Sequence, residues 1–285
     1  MQKERINFKI LADKKTTHVL TFGLIKSERQ LVKSKRSQVT IFIIIAIIIV
    51  ALVILAYFLY PKIISSFGVG ASTPEAFLQN CVEDETSKIV QQISLQGGSL
   101  EPKNYFLYEN NQIEYLCYTN EYYLPCVMQQ PVLQNHIENE IKNTIREKTN
   151  DCFNSLEKNY KGKGYEVSLI KGNFDVELLP KRIVLTFNNS LTLKKESTEL
   201  HRQFRVVLNN NLYELVGITN SILNWEARYG DAETTAYMTY YHDLKVEKQK
   251  QTDGTTIYIL TDRNTGNKFQ FASRSFAWPP GYGTG

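Results

Sequence analysis

The sequence predicts an α+β protein with one transmembrane helix near its N-terminus, and three observations support this prediction. An uncharged, isoleucine-rich run extends from Gln38 to Tyr60, and all four cysteines of the chain follow it. Beyond this run, apolar residues first recur at helical spacing and then, from Tyr165, alternate with polar residues as in strands. We therefore expect an anchored outer domain with two disulfide-linked helices, a mainly antiparallel sheet and a third helix.

The segment before the apolar run, residues 1–37, is predicted to be a cytoplasmic segment or a leader. Residues 1–38 contain ten Lys/Arg and three acidic residues, so their formal charge is +7 and that of the remaining chain is −3. Basic residues directly before a membrane span favour the cytoplasmic side. Because the basic excess is confined to this segment, the sequence pI of 8.7 does not indicate nucleic-acid binding.

The apolar run itself is predicted to be a membrane helix over residues 38–60. Residues 39–60 would extend about 33 Å as a helix, which matches a hydrocarbon core of about 30 Å. A secretory signal has a shorter apolar region, of about 7–15 residues. Tyr57, Phe58 and Tyr60 end the run and suit a membrane interface. We expect residues 39–60 to contact the lipid bilayer and the C-terminal part to lie outside the cell.

Three further segments are predicted after the anchor. Residues 61–73 are rich in small residues and form a predicted stalk, residues 74–273 form the extracellular α+β domain, and residues 274–285 form a flexible tail. With about 200 residues, the outer part is long enough for one α+β domain, or for two lobes that share a sheet edge.

Two amphipathic helices are predicted at the start of the outer domain. Thr73 as N-cap and Pro74 in the first turn begin the first helix, and Gly97-Gly98 end it. The second helix is predicted to run from Pro131 to about Lys158, with its apolar residues in one stripe.

The cysteines are predicted to form two disulfides, because the compartment outside the membrane is oxidising. Cys81 and Cys152 lie on the apolar faces of the two helices, so they meet if those faces pack together. Cys117 and Cys126 bracket the short segment YTNEYYLP. Four cysteines allow three connectivities, and these positions favour Cys81–Cys152 with Cys117–Cys126. The alternative is four unpaired buried thiols.

Strands and a third helix are predicted in the C-terminal half. The sequences GYEVSLI, FDVELL and RIVLTF alternate, and Asn188-Asn189 is predicted to be a hairpin turn. The third helix is predicted from about Asn211 to Tyr229, and TTIYIL with KFQFAS forms a closing hairpin. Asn188 also begins an N-x-[ST] acceptor, so it is a predicted glycosylation site on an exposed turn.

Candidate chemistry in the sequence is sparse. Nucleophile-elbow, phosphate-loop and metalloprotease motifs are absent. His136 and Glu140 lie one helical turn apart and could begin a metal site, but an exposed helix face explains them more readily. Cys152 with His136 as a thiol nucleophile, and Asp231 with Glu233 as an acid pair, are weaker candidates. We therefore predict neither an enzyme nor a cofactor or metal site.

Two tyrosine clusters lie in the predicted outer domain. One lies in EYYLP (Glu121–Pro125) and another in AYMTYYHD (Ala236–Asp243). Exposed tyrosines favour contact surfaces, although half-buried aromatic residues of strands and loops give the same pattern.

The segment KRSQVTIFIIIAIIIV resembles archaeal class III signal sequences. This resemblance implies cleavage by a pilin-type peptidase between Ser37 and Gln38. Pilin-like subunits usually carry a glutamate five residues into the mature helix, whereas this chain has Phe42. The resemblance thus implies either a pilin-like filament subunit or a retained anchor.

More broadly, the chain resembles single-pass surface proteins of small DPANN-type archaea. The resemblance is carried by Arg36–Phe42, Cys81–Asp84, Leu95–Gly98 and Phe269–Ser275. It implies a location but no activity. We expect a membrane-anchored cell-surface protein with a non-enzymatic structural or recognition domain, which binds a protein or envelope partner. The alternatives are a pilin-like subunit and an envelope enzyme whose site is assembled from dispersed residues.

Overall fold

A computed structural model describes residues 42–52 and 73–276. The chain divides between Ser66 and Phe67 into two units. Residues 42–52 form helix α1, whose large apolar side chains are exposed by 47% (Ile45) to 72% (Phe42). Within the described ranges, no helix combines the length and the apolar character needed to cross a membrane.

Several predicted segments lie outside the described residues. These are the basic segment with Ser37 and Gln38, the remainder of the anchor, the predicted stalk up to residue 72 and the chain from residue 277 onward.

Five helices follow in the second unit: α2 (Pro74–Leu95), α3 (Leu133–Thr144), α4 (Arg146–Gly162), α5 (Leu212–Tyr229) and α6 (Thr235–Tyr240). Helix α2 begins where the capping signal places it, because the Thr73 hydroxyl accepts a hydrogen bond from the Ala76 N–H. The predicted second helix is two helices, α3 and α4. At the junction Ile145 has ψ −2°, which redirects the chain while Ile145 itself stays buried.

Two disulfides hold these elements. Cys81–Cys152 joins α2 to α4, and Cys117–Cys126 closes the loop after the second strand. The predicted pairing of Cys81 with Cys152 and of Cys117 with Cys126 is confirmed. The described residues contain no free cysteine, so the interpretation of Cys152 as a thiol nucleophile is wrong.

The described chain contains twelve strands: β1 (Tyr105–Tyr108), β2 (Asn111–Tyr118), β3 (Val127–Met128), β4 (Glu166–Ile170), β5 (Phe174–Leu179), β6 (Arg182–Phe187), β7 (Ser190–Lys194), β8 (Thr198–His201), β9 (Phe204–Asn209), β10 (Leu244–Lys250), β11 (Thr255–Asp262) and β12 (Lys268–Arg274). The largest sheet has the order β1-β2-β12-β11-β10, with β3 paired to β2. Its pairs are antiparallel except β12 with β2. Helices α2 and α5 pack on this sheet, and the main core extends from them to α3, α4 and strands β5, β6, β7 and β9.

The remaining strands form two three-stranded antiparallel sheets, β4-β7-β8 and β5-β6-β9. The predicted hairpin at Asn188-Asn189 is therefore wrong, because β6 and β7 lie in different sheets. A type I′ turn needs positive φ at both central residues, and neither asparagine has it. The two-residue turn that does is Glu109-Asn110, with φ of 46° and 66°, between β1 and β2.

Asn188 and Asn189 instead mark the bend where the chain passes from one small sheet to the other. The buried Asn189 side chain accepts a hydrogen bond from the Gly172 N–H at 2.8 Å. A Cβ at Gly172 would lie only 2.1 Å from the Asn188 carbonyl oxygen, so this approach requires glycine. Asn188 is exposed, and its glycosylation stays a prediction.

The folded domain continues past the predicted boundary at residue 273. Strand β12 ends at Arg274, and the Ser275 hydroxyl donates to the Glu226 carbonyl oxygen at 2.9 Å. The Phe276 ring lies 4.9 Å from the Arg274 guanidinium. The C-terminal strand is thereby fastened to α5.

Candidate functional site

A cavity of about 690 Å³ lies between α5 and the segment that leads from α6 into β10. We call it the tyrosine cavity, because Tyr213, Tyr237, Tyr240 and Tyr241 line it. Helix α6 is held against α5 by a hydrogen bond between the Ser221 and Tyr237 hydroxyls, 2.7 Å apart.

The lining of the tyrosine cavity includes aromatic, acidic and apolar residues, together with Lys181 and His242. Tyr213, Tyr240 and Tyr241 expose 38%, 79% and 48% of their surface. Glu214 and Asp243 also line the cavity. Glu214 Oε1 accepts a hydrogen bond from the Lys181 N–H, whereas its buried Oε2 has no partner among the described residues. Exposed aromatic rings beside carboxylates suit a cationic group.

The two predicted tyrosine clusters therefore differ. Tyr240 and Tyr241, from AYMTYYHD, are exposed at the cavity. Tyr122, from EYYLP, is also exposed, but its ring lies 5.8 Å from the Arg274 guanidinium and packs against Phe276. Tyr122 of the EYYLP cluster thus packs against the C-terminal end of β12.

A second cavity, of about 580 Å³, has a largely polar lining that includes Ser99, Glu114, His136 and Glu140. We call it the polar cleft. The Ser99 hydroxyl donates to Glu114 Oε2 at 2.6 Å, and Ser99 Oγ lies 2.8 Å from His136 Nε2. The fold thus brings together a serine after α2, a carboxylate on β2 and an imidazole on α3.

Close packing of the loop after α2 positions Ser99. Gly97 has φ +88°, and a Cβ there would lie 2.8 Å from the Glu114 Cβ. The Glu114 N–H donates to the Gln96 carbonyl oxygen at 3.0 Å, and the Leu100 N–H donates to Glu140 Oε2 at 3.1 Å. The loop is therefore fixed to both β2 and α3.

The Glu114 carboxyl is buried beneath the polar cleft. Burial raises the pKa of Glu114 above its ordinary value, and the nearby Glu140 carboxylate raises it further. Hydrogen bonds from Ser99 and Gln130, together with His136, act in the opposite direction. A carboxyl with a raised pKa that touches a hydroxyl is suited to proton transfer.

The predicted pair His136 and Glu140 does lie at a polar cavity rather than on a featureless helix face. Across the described ranges, no group of three or more His, Cys, Asp or Glu side chains is arranged to hold a metal ion. What the sequence did not indicate is the contribution of Ser99 and Glu114. The available signal was the position of Glu114 between apolar residues in the strand sequence IEYLC.

A second buried glutamate, Glu226 on α5, is enclosed by donors. Its Oε1 accepts from the Tyr258 hydroxyl and the Ala232 N–H, and its Oε2 accepts from the Ser273 hydroxyl at 2.8 Å. Burial and the Glu226 carboxylate raise the pKa of Tyr258. This network joins α5 to β11 and β12, and it does not line any cavity described above.

Asp231 and Glu233 do not form an acid pair. Asp231 forms ion pairs with Lys248 and Lys250. Burial alone would raise the pKa of Asp231, but these two ammonium groups lower it. Glu233 instead accepts a hydrogen bond from the Thr235 N–H at 2.7 Å, next to the start of α6. Both carboxylates therefore have local partners.

Comparison of the chain with protein-family models, with curated proteins and with solved structures found no match.

Proposed function

We propose that this chain is a single-pass cell-surface protein whose outer domain binds a basic segment of a partner protein in the tyrosine cavity. The observation that carries this proposal is the gathering of exposed Tyr213, Tyr240 and Tyr241 with Glu214 and Asp243 around one cavity. The arrangement supports recognition of lysine or arginine side chains.

The physical basis is the attraction between a cation and an aromatic face. Such a contact contributes about 0.5–2 kcal/mol, depending on how far the cation is desolvated. Carboxylates at the cavity add charge-assisted hydrogen bonds. Tyrosines are suited to this role because they supply a large rigid surface at a small cost in side-chain entropy.

The proposed location has separate support. The apolar side chains of α1 are exposed, and an apolar helix of this kind is stabilised by lipid. The charge of +7 in residues 1–38 favours a cytoplasmic N-terminus. Two disulfides suit a domain that lies outside the cell.

Binding is tested by titrating the full-length protein, in detergent micelles, with a lysine-rich peptide and following tyrosine fluorescence. We expect Tyr240→Ala to raise the Kd by about 5- to 30-fold, equivalent to about 1–2 kcal/mol. The matched control is Tyr122→Ala, which removes an exposed tyrosine from the other cluster. An equal loss in both variants, or equally tight binding of a glutamate-rich peptide, would contradict the proposal.

The location is tested by protease digestion of intact cells and by N-terminal sequencing of the native protein. We expect external protease to cleave the outer domain. A mature chain that begins at Gln38 would favour the pilin-like alternative, whereas a chain that retains residues 1–37 would favour the anchor.

A further inference from the structure

We infer that the polar cleft is a catalytic site for acyl transfer, in which Ser99 is the nucleophile and Glu114 accepts its proton. The substrate class is an ester or amide of a polar molecule. This activity is separate from partner binding in the tyrosine cavity. It differs from the sequence-based expectation of a non-enzymatic domain.

The hydrogen bonds define how Ser99 is activated. A hydroxyl has one proton, and an ionised carboxylate can only accept hydrogen bonds. With Glu114 ionised, the Ser99 proton therefore points to Oε2 at 2.6 Å, and His136 Nε2–H donates to Oγ at 2.8 Å. One lone pair of Oγ remains for attack on a carbonyl carbon. His136 thus positions the nucleophile, while Glu114 is the base.

The proposed reaction balances without a cofactor. Ser99 Oγ forms a bond to the carbonyl carbon, the carbonyl π electrons move to its oxygen, and the hydroxyl proton passes to Glu114. The bond to the leaving group then breaks, and Glu114 returns the proton to that group. Water attacks the acyl-serine by the same route, which releases the acid and restores Ser99. The raised pKa of Glu114 makes its carboxylate a stronger base than an ordinary glutamate.

The lining of the cleft supports the substrate class. Lys103 and Asn104 also line the cleft, and an ammonium and an amide NH2 are groups that can donate to an oxygen that becomes negative. Glu101 and Gln129 add to a polar wall. A volume of about 580 Å³ accommodates a substrate of small-molecule size.

Ser273 provides an internal control. It also donates to a buried glutamate, Glu226, at 2.8 Å, but it is fully buried and lines neither cavity. Both serines therefore contact a carboxylate. Of the two, only Ser99 also contacts a histidine and lines a cavity described above.

The test is hydrolysis of p-nitrophenyl acetate by the full-length protein in detergent micelles. We expect kcat/KM to fall about 100-fold in Ser99→Ala and at least about 10-fold in Glu114→Gln. Ser273→Ala should stay within about twofold of the wild type. Unfolding midpoints and disulfide peptide maps of each variant report whether it is folded.

A measurement on the wild type tests the same inference and does not depend on whether a variant folds. Peptide mapping after an acid quench should find the acetyl group on Ser99. A wild-type rate equal to that of Ser99→Ala, or an acetyl group found only at other residues, would overturn the inference.

Discussion

Two glutamates are buried among the described residues of the α+β domain, and they differ in how they are enclosed. Glu226 accepts hydrogen bonds from Tyr258, Ala232 and Ser273, so each of its two carboxylate oxygens has at least one donor. Glu114 receives a short hydrogen bond from Ser99 at 2.6 Å and a long one from Gln130 at 3.4 Å, at the base of a cleft. The same residue type thus stabilises the fold in one place and is available for chemistry in the other.

This difference has a physical cause. Burying a carboxylate is costly unless donors replace its water shell. At Glu226 the protein supplies them from the loop after α5 and from β11 and β12, and the network fastens the helix to the sheet. At Glu114 the replacement is incomplete, and burial raises the pKa of the carboxyl. A buried carboxylate that has few hydrogen-bond donors and lies at a cavity is a stronger candidate for function than one that is enclosed by donors.

The largest predicted effect is on the enclosed carboxylate. Glu226→Gln replaces a charged acceptor by a neutral amide, which loses the charge-assisted hydrogen bonds and one of the three acceptor contacts, so we expect the free energy of unfolding to fall by about 3 kcal/mol. Urea unfolding followed by circular dichroism measures it. The matched variant Glu114→Gln should cost about 1 kcal/mol, because fewer donors depend on that carboxylate. Equal losses of unfolding free energy in the two variants would contradict the proposed difference between Glu226 and Glu114.

An intermediate effect is predicted at the loop that positions Ser99. Gly97→Ala puts a Cβ at 2.8 Å from the Glu114 Cβ and strains a φ of +88°. We expect a cost of about 2 kcal/mol, together with a slower reaction at Ser99 because the serine is displaced.

Gly266→Ala is the control for this change. Gly266 also has positive φ, +74°, but a Cβ there meets nothing within 4 Å. It should cost about 1 kcal/mol through the backbone alone and leave the cleft unaffected. If the two variants behaved alike, the contact with Glu114 would not be what shapes the loop.

The smallest effect is the pH dependence contributed by Glu114. Because the folded pKa is raised above the ordinary 4.5, this carboxyl stabilises the fold fully below that value. The contribution is lost as the pH rises through the raised pKa. The stability advantage of the wild type over Glu114→Gln should therefore be largest below about pH 4 and shrink as the pH rises above that range. A difference that grew with pH would indicate a lowered pKa and contradict the account.

Much of the helical part could be predicted, because its signals are local. Thr73 and Pro74 mark the start of α2, and the apolar positions of Cys81 and Cys152 indicate their pairing. The closing hairpin, β11 with β12, follows from alternation. Each of these depends on residues close in the sequence or on a single helix face.

The rest depends on contacts that the sequence does not specify. Asn188-Asn189 has the composition of a hairpin turn, but the buried Asn189 amide and Gly172 make it a bend between sheets. The polar cleft needs Ser99 to meet residues 15 and 37 positions away. His136 and Glu140 were visible as a pair, whereas their partners became evident only in the fold.

The most direct test of the contrast between the two glutamates compares their serines in one sample. The folded full-length protein is treated with a fluorophosphonate, which phosphonylates reactive serine hydroxyls with loss of fluoride, and labelled peptides are quantified by mass spectrometry. The account predicts label on Ser99 and none on Ser273. Equal labelling of both serines, or no label on Ser99, would contradict it.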